Sequence, residues 1–317
     1  MPDTSKIDGV LLTWGDRLFY PGNRVVREPS QPRLSALSSR QRAAVMRERI
    51  AATVRRAPQV MVKVTGGGRG MKAIAAHFRY IAKNGRLQIE DELGRSVTGN
   101  EALQEISDDW RYGGTKIPDI GHRREAFNIM LSMPRGNDPL AVQRAARDFA
   151  KAELADYKYV MVLHDHQANP HVHLSVRAES KHGKRLSPRK ADLHRWRETF
   201  AEKLRGWGID AEATRQASRG VDRSYPSLWR KKAAEEGRER TPRPERQSGP
   251  NATASRRQAR AAWVHIAAAL RASADPGDRT CAAAIERWAA GPPFGRERAE
   301  PSVARSVDPG VDVGRTR

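Results

Sequence analysis

Four of the nine histidines in this chain of 317 residues fall within ten consecutive positions, in the segment His164-Asp165-His166-Gln167-Ala168-Asn169-Pro170-His171-Val172-His173. His171 and His173 are two residues apart, so on a β-strand their side chains point to the same face. His164 ends the preceding apolar run, and a hairpin can bring it beside that pair. Three neutral imidazoles on one sheet face make a site for a divalent metal ion, unless the alternation only marks a solvated face.

Apolar runs around this segment predict the strands that must position the histidines. The Val-rich run over residues 157–163 and the alternating run over residues 171–179 are expected to form an antiparallel pair. Further strands are predicted over residues 59–65 and 125–134. Residues 86–100 are expected to form a hairpin or loop, and residues 1–33 show no clear period.

Helices are predicted where apolar residues recur at three- and four-residue spacing or where Ala-rich runs occur. These segments are residues 34–57, 71–85, 101–111, 138–154, 189–206, 259–271 and 279–290. Asp138 and Pro139 suit the N-cap and the first helical position of one of them. Trp196, in another, is expected in the core, with base stacking as the alternative.

The composition favours a polyanionic partner. Lys and Arg total 58 against 37 Asp and Glu, a net charge of +21, which favours DNA, RNA or an anionic membrane surface. Residues 51–220 have the clearest strand and helix patterning and carry +10 of that charge. The single cysteine, Cys281, excludes an internal disulfide framework and cysteine-based zinc fingers. No apolar run is long enough for a transmembrane helix.

The histidine segment, followed by apolar residues, resembles the third motif of the conjugative relaxases, the HUH endonucleases of the mobilization-protein class. Residues 62–87, VKVTGGGRGMKAIAAHFRYIAKNGRL, look like that family's first motif: a strand, a Gly-rich turn, and a helix that carries the nucleophilic tyrosine. Residues 204–220 look like the segment that closes the family's domain. The resemblance implies an α+β fold, with a central antiparallel sheet flanked by helices and a mostly helical or disordered C-terminal tail.

Four regions are predicted on this basis. They are a basic N-terminal extension over residues 1–58, a relaxase domain over 59–225, an Arg-, Pro- and Ser-rich linker over 226–260, and Ala-rich helices with a disordered tail over 261–317. Such an extension is unusual before the family's first motif, so it is either an added DNA- or partner-binding arm or the product of a misassigned start.

The resemblance implies a separate role for each of the site residues. Tyr80 is the nucleophile that forms a 5′-phosphotyrosyl link, with Tyr112 as the alternative. His164, His171 and His173 hold a divalent metal ion, for which Mg or Mn is expected and Zn, Ni or Co are alternatives.

The proton acceptor is less well defined by the sequence. A phenol ionises only near pH ~10 in water, so the tyrosine needs a base, and His166 or Asp165 could take the proton. The family often has Asp where His166 stands. Asp165 would face the other way on a strand, so no carboxylate is identified to orient a ligand histidine.

Candidate DNA contacts flank both motifs. The Gly66–Gly70 turn lacks the Lys-Ser or Lys-Thr of an ATP-binding loop. Its amides could hold a DNA phosphate at a helix start, or its glycines could serve only a tight turn. The candidate DNA-binding residues are Gly67, Gly68, Arg69, Lys72, Arg79, Lys184, Arg185 and Arg189. For the last three, a solvated loop is the alternative.

The function that the resemblance implies is nicking of one strand at the origin of transfer of a plasmid or integrative element, which starts conjugative mobilization. The implied partners are single-stranded and supercoiled origin DNA, relaxosome accessory proteins and a type IV coupling protein. The expected location is the bacterial cytoplasm, in association with DNA, and the protein could also be transferred out of the cell together with that DNA. The alternatives are a rolling-circle replication initiator, a non-catalytic origin-binding accessory protein and a metal-dependent hydrolase without a covalent intermediate.

Overall fold

The strands that carry the three histidines lie in the middle of one antiparallel sheet. The computed structural model describes residues 4–20, 37–166, 169–220, 236–237 and 250–291. Within them the sheet has six strands in the order β1-β4-β6-β5-β2-β3. The strands are β1 (Met61–Gly66), β2 (Ile89–Asp91), β3 (Ser96–Val97), β4 (Ala126–Ser132), β5 (Tyr157–His164) and β6 (His171–Ser180).

Eight α-helices and a short 3₁₀ helix (Ala217–Arg219) accompany the sheet in the described residues. The α-helices are α1 (Thr4–Phe19), α2 (Ser39–Val54), α3 (Met71–Ile81), α4 (Asn100–Tyr112), α5 (Pro139–Glu153), α6 (Lys190–Gly206), α7 (Pro250–Arg271) and α8 (Pro276–Ala290). None of these helices combines the length and apolar character needed to cross a membrane. The predicted α+β class with a central antiparallel sheet is confirmed.

Each face of the sheet is covered by its own pair of helices. Helices α5 and α6 bury Phe149, Trp196 and Phe200 against one face. Helices α3 and α4 pack Phe78 and Trp110 against the other, with the two rings edge to face at 4.9 Å. Trp196 is therefore a core residue, as expected. Burial of both faces fixes the strand register, because a slip of one residue would turn every side chain to the opposite face.

Several predicted elements are confirmed nearly to their ends because local signals define them. Helix α5 begins where Asp138 accepts hydrogen bonds from the amides of Leu140 and Ala141, with Pro139 in the first turn. Helix α2 begins where Ser38 and Gln41 form a reciprocal cap, four residues after the predicted start at 34.

The two ends of the chain depart from the sequence-based expectations. Residues 4–19, for which no period was found, form α1, and α7 begins at Pro250, inside the segment predicted to be a linker. These helices pack with α2 and α8 around Trp263, in a second core apart from the sheet. The apolar faces of α1 and α7 can be recognised only when the two helices are seen packed together in this core. Apart from residues 236–237, the rest of the predicted linker and the tail beyond residue 291 lie outside the described residues.

Arg49 of α2 joins this helical core to the sheet domain. Its guanidinium is almost fully buried and pairs with Glu198 at 3.1 Å and Glu212 at 2.9 Å. It also stacks over the ring of Phe19 at 4.5 Å. Burial opposes the charge, but Glu212, Tyr20 and Glu198 together raise the pKa of Arg49 above its ordinary value.

We predict that Arg49→Met destabilises the protein by about 3–5 kcal/mol, because the buried Glu212 and the largely buried Glu198 lose the cation that compensates their charges. Urea unfolding followed by circular dichroism measures this change. Arg55→Met is the matched control, since the Arg55–Asp210 pair is exposed on both sides and such pairs contribute about 1 kcal/mol or less. Equal small losses for both variants would contradict a joining role for Arg49.

Candidate active site

The β5–β6 pairing brings the three histidines together. His164 lies directly opposite His171, and His173 follows two residues along β6 on the same face. Their ring centroids are 5.0 Å apart (His164–His171 and His171–His173) and 4.7 Å apart (His164–His173). One nitrogen from each ring lies within 4.8 Å of the others, close enough for the three to share a metal ion. The arrangement predicted from residue spacing is therefore present.

Backbone carbonyls orient two of the three rings. Nε2 of His164 donates a hydrogen bond to the carbonyl oxygen of Ile81 at 2.7 Å, which leaves Nδ1 with a free lone pair. Nδ1 of His171 donates to the carbonyl of Asn169 at 2.9 Å, which leaves Nε2. These two carbonyls orient the histidine rings, a role for which the sequence identified no carboxylate.

The third ring has a buried nitrogen with nothing to bind. Nδ1 of His173 is fully covered and has no hydrogen-bond partner among the described residues. Burial, with the nearby His164, His171 and His77, lowers the pKa of His173 to about 3, and burial also lowers the pKa of His164. Neutral imidazoles with unprotonated, inward-facing nitrogens are the state in which histidine binds a metal. This donor set fits a divalent ion that prefers nitrogen ligands.

Tyr80 lies beside this cluster, at the C-terminal end of α3. Its side chain is 71% exposed. The next residue, Ile81, is buried in the core and supplies the carbonyl that His164 binds. The helix that carries the phenol is therefore tied to one of the candidate metal ligands by a direct hydrogen bond.

Tyr112 is placed elsewhere. It ends α4, and its ring neighbours are Arg111 and Lys116. The adjoining loop is anchored by Arg177, whose Nη1 donates to the carbonyls of Trp110 and Gly113. Arg177 lies four residues beyond His173 on β6, about 13 Å away at the usual strand rise. This placement favours Tyr80 over Tyr112 as the nucleophile.

The two candidate bases are both solvent-exposed. Asp165 and His166 follow the end of β5, and the ring of His166 lies 5.1 Å from that of His164. His166 is thus at the edge of the cluster, while its part in proton transfer stays a prediction.

The glycine turn has a packing role that the sequence left open. A Cβ at Gly68 would collide with the Ile74 side chain, and one at Gly67 would collide with the carbonyl oxygen of Ala126. The first amides of α3 are already bonded, because Met71 donates to Pro118 at 2.9 Å and Lys72 to Asp119 at 3.2 Å. These two amides are not available to a phosphate, and Gly68 is buried, so the tight-turn interpretation is the one supported here.

The basic candidates lie on several different elements, and Arg79 directly precedes Tyr80 on α3. Lys72 lies in the first turn of α3, about 12 Å along the helix from Tyr80. Arg185 pairs with Glu125 at 3.3 Å and Glu179 at 3.5 Å, so its charge is largely neutralised. The other exposed candidates are Arg69, Arg79, Lys184 and Arg189. DNA contact by any of them stays a prediction.

Two residues near the site were missed in the sequence. Lys63 of β1 is exposed and lies across from Met130, which in turn lies across from His173, so all three share one sheet face. His77 precedes Tyr80 by three residues, and its ring lies 6.1 Å from that of Tyr80 and 6.4 Å from that of His173. His77 could have been identified from the sequence, because a spacing of three residues places it on the same side of a helix as Tyr80. Lys63 could not, because its position opposite the histidine strand depends on the strand register.

Comparison with known proteins bears on this site directly. Residues 80–209 match the family described as Relaxase, MobA/VirD2-like, nuclease domain. The matched region begins at Tyr80 and contains all three clustered histidines. No curated protein matched the chain. The resemblance to the conjugative relaxases is confirmed over residues 80–209, which are similar to the nuclease domain of that family.

We predict that the chain binds one Mn²⁺ ion and that His173→Ala weakens this binding by at least ~10-fold. Removing a metal ligand should reduce metal affinity at least as much as removing a residue that only orients a ligand. Isothermal titration calorimetry measures both values. His182→Ala is the control, since His182 is exposed beside Asp156, beyond the far end of β6. Unchanged affinity in His173→Ala would remove this histidine from the ligand set.

Proposed function

We propose that this chain, which carries a MobA/VirD2-like relaxase nuclease domain over residues 80–209, nicks one strand of DNA at an origin of transfer by transesterification onto Tyr80. The observation that carries the proposal is the placement of an exposed phenol next to a cluster of three metal-type histidines. The hydrogen bond from His164 to Ile81 holds these two parts in one unit. Neither feature by itself would indicate a nicking activity, because an exposed tyrosine or a pair of surface histidines occurs in many proteins without such a function.

The proposed step is an in-line displacement at phosphorus. The Tyr80 phenol oxygen attacks the scissile phosphate, a new bond forms between that oxygen and phosphorus, and the bond to the 3′ oxygen breaks. The phenol gives up its proton, and the departing 3′ oxygen gains one to become a 3′-hydroxyl. One phosphodiester replaces another, so the same step run backwards rejoins the strand.

Each side chain has a proposed task in this step. His164, His171 and His173 would hold a divalent ion, Mg or Mn in first place, which when bound would neutralise charge on a non-bridging phosphate oxygen. His166 is proposed to accept the phenolic proton, with Asp165 as the alternative. Lys63 is proposed to attract the DNA backbone to the sheet face that carries the histidines.

The proposal extends to the biological setting through the family match. It places the protein at a plasmid or integrative element in a bacterial cytoplasm, where accessory proteins and a type IV coupling protein would receive the nicked DNA. The net charge of +21 supports extended contact with a nucleic acid. Residues 1–58 and 226–317 are proposed to flank the nuclease domain as regions for such contacts.

We predict that the wild-type protein, given Mn²⁺ and a 3′-labelled single-stranded oligonucleotide spanning the origin, forms an adduct that survives SDS. The 3′ label should travel with the protein, and a 5′ label should leave on a fragment with a 3′-hydroxyl. Tyr80→Phe should form no adduct, because it lacks the attacking oxygen. Tyr112→Phe is the matched control and should react at the wild-type rate.

Two outcomes would contradict this proposal. An adduct formed by Tyr80→Phe would show that another residue is the nucleophile. Cleavage that persists in excess EDTA would exclude a required role for a metal ion at the histidines.

A further inference from the structure

His77 stands between the phenol and the histidine cluster. On α3, Ile74, Phe78 and Ile81 face the sheet, His77 lies on the flank of that apolar face, and Tyr80 lies further round on the same side. The ring of His77 is 6.1 Å from Tyr80 at an angle of 29°, and 6.4 Å from His173 at an angle of 76°. It is therefore a neighbour of both partners in the proposed reaction.

The spacing of the rings separates His77 from the three clustered histidines. With metal–nitrogen bonds of about 2.1 Å, two imidazoles in neighbouring positions on one ion have ring centres about 4.6–5.3 Å apart. The clustered rings are 4.7–5.0 Å apart and fit this range, whereas His77 is 6.4 Å from His173. His77 thus borders the cluster of three histidines that could hold a metal ion, and its spacing from His173 does not fit a neighbouring ligand position.

One nitrogen of His77 is buried without a partner. Its Nε2 is fully covered and makes no hydrogen bond to any of the described residues. A buried polar atom of this kind costs free energy unless a ligand or water satisfies it. If Tyr80 attacks a phosphate whose oxygen is held at the cluster, that phosphate must lie between the phenol and the cluster, and His77 neighbours both.

We propose that His77 is a catalytic residue that donates a hydrogen bond from Nε2 to a non-bridging oxygen of the scissile phosphate. This inference rests on the proposed function. A phosphate oxygen only accepts hydrogen bonds, so binding selects the form of His77 with its proton on Nε2. The bond fixes the phosphorus for attack by Tyr80 and stabilises the charge that grows on the oxygen during the step.

Single-turnover cleavage of the labelled origin oligonucleotide, with Mn²⁺, tests this role. His77→Leu should slow adduct formation by about 100-fold or more, the usual loss on removing one donor to a developing oxyanion. His77→Gln keeps an N–H at a similar reach and should recover the rate to within about 10-fold of wild type. Oligonucleotide affinity, Mn²⁺ affinity and the thermal midpoint should stay near wild type in both variants. His182→Leu is the matched control and should cleave normally.

Phosphorothioate substrates make the test specific to the contacted oxygen. Sulfur is a poor acceptor, so the diastereomer with sulfur at the His77-facing position should slow the wild type but should not slow His77→Leu further. Equal slowing of both proteins by both diastereomers would overturn the proposal. So would a wild-type rate in His77→Leu, equal losses in the Leu and Gln variants, or a parallel loss of Mn²⁺ binding. Failure of the wild type to form any adduct would instead refute the proposed function.

Discussion

The hydrogen bond from Nε2 of His164 to the carbonyl oxygen of Ile81, 2.7 Å long, is the contact on which the site depends. It fixes which nitrogen of His164 is left for a metal ion, and it holds the end of α3, where Tyr80 projects. The contact exists because Ile81 is packed in the core between α3 and the sheet, so its carbonyl cannot move away. The proposed reaction requires that the nucleophile and the charge-neutralising site hold a fixed position relative to each other, and this hydrogen bond supplies that constraint.

The sheet supplies the rest of that frame. Antiparallel pairing of β5 and β6 places His164 across from His171, and the strand repeat adds His173 on the same face. Since helices bury both faces, this register has no neighbouring alternative that keeps the core apolar. The terminal helices α1, α2, α7 and α8 form a separate core and join the domain through the buried Arg49. Arg49 is therefore the residue at which we expect a single substitution to affect both the sheet domain and the packing of these helices.

The sequence was most informative where a signal is local. The Asp138-Pro139 pair defined the start of α5, and the alternation of His171, Val172 and His173 defined the two faces of β6. It was least informative where the partner is distant in sequence: α1 packs on α7 across more than 230 positions, and the first amides of α3 bond to residues 118 and 119. His77 was missed for the same reason, because its importance depends on how α3 is rotated against the sheet.

If Tyr80 is the nucleophile, it becomes covalently attached to DNA, and peptide mapping of the adduct identifies the attached residue. Trypsin cleaves after Arg79 and Lys83, so the attached nucleotides should be found by mass spectrometry on the peptide of residues 80–83. Attachment at Tyr80 predicts that this peptide carries the nucleotides. Nucleotides on residues 112–116, the tryptic peptide that begins at Tyr112, would contradict it.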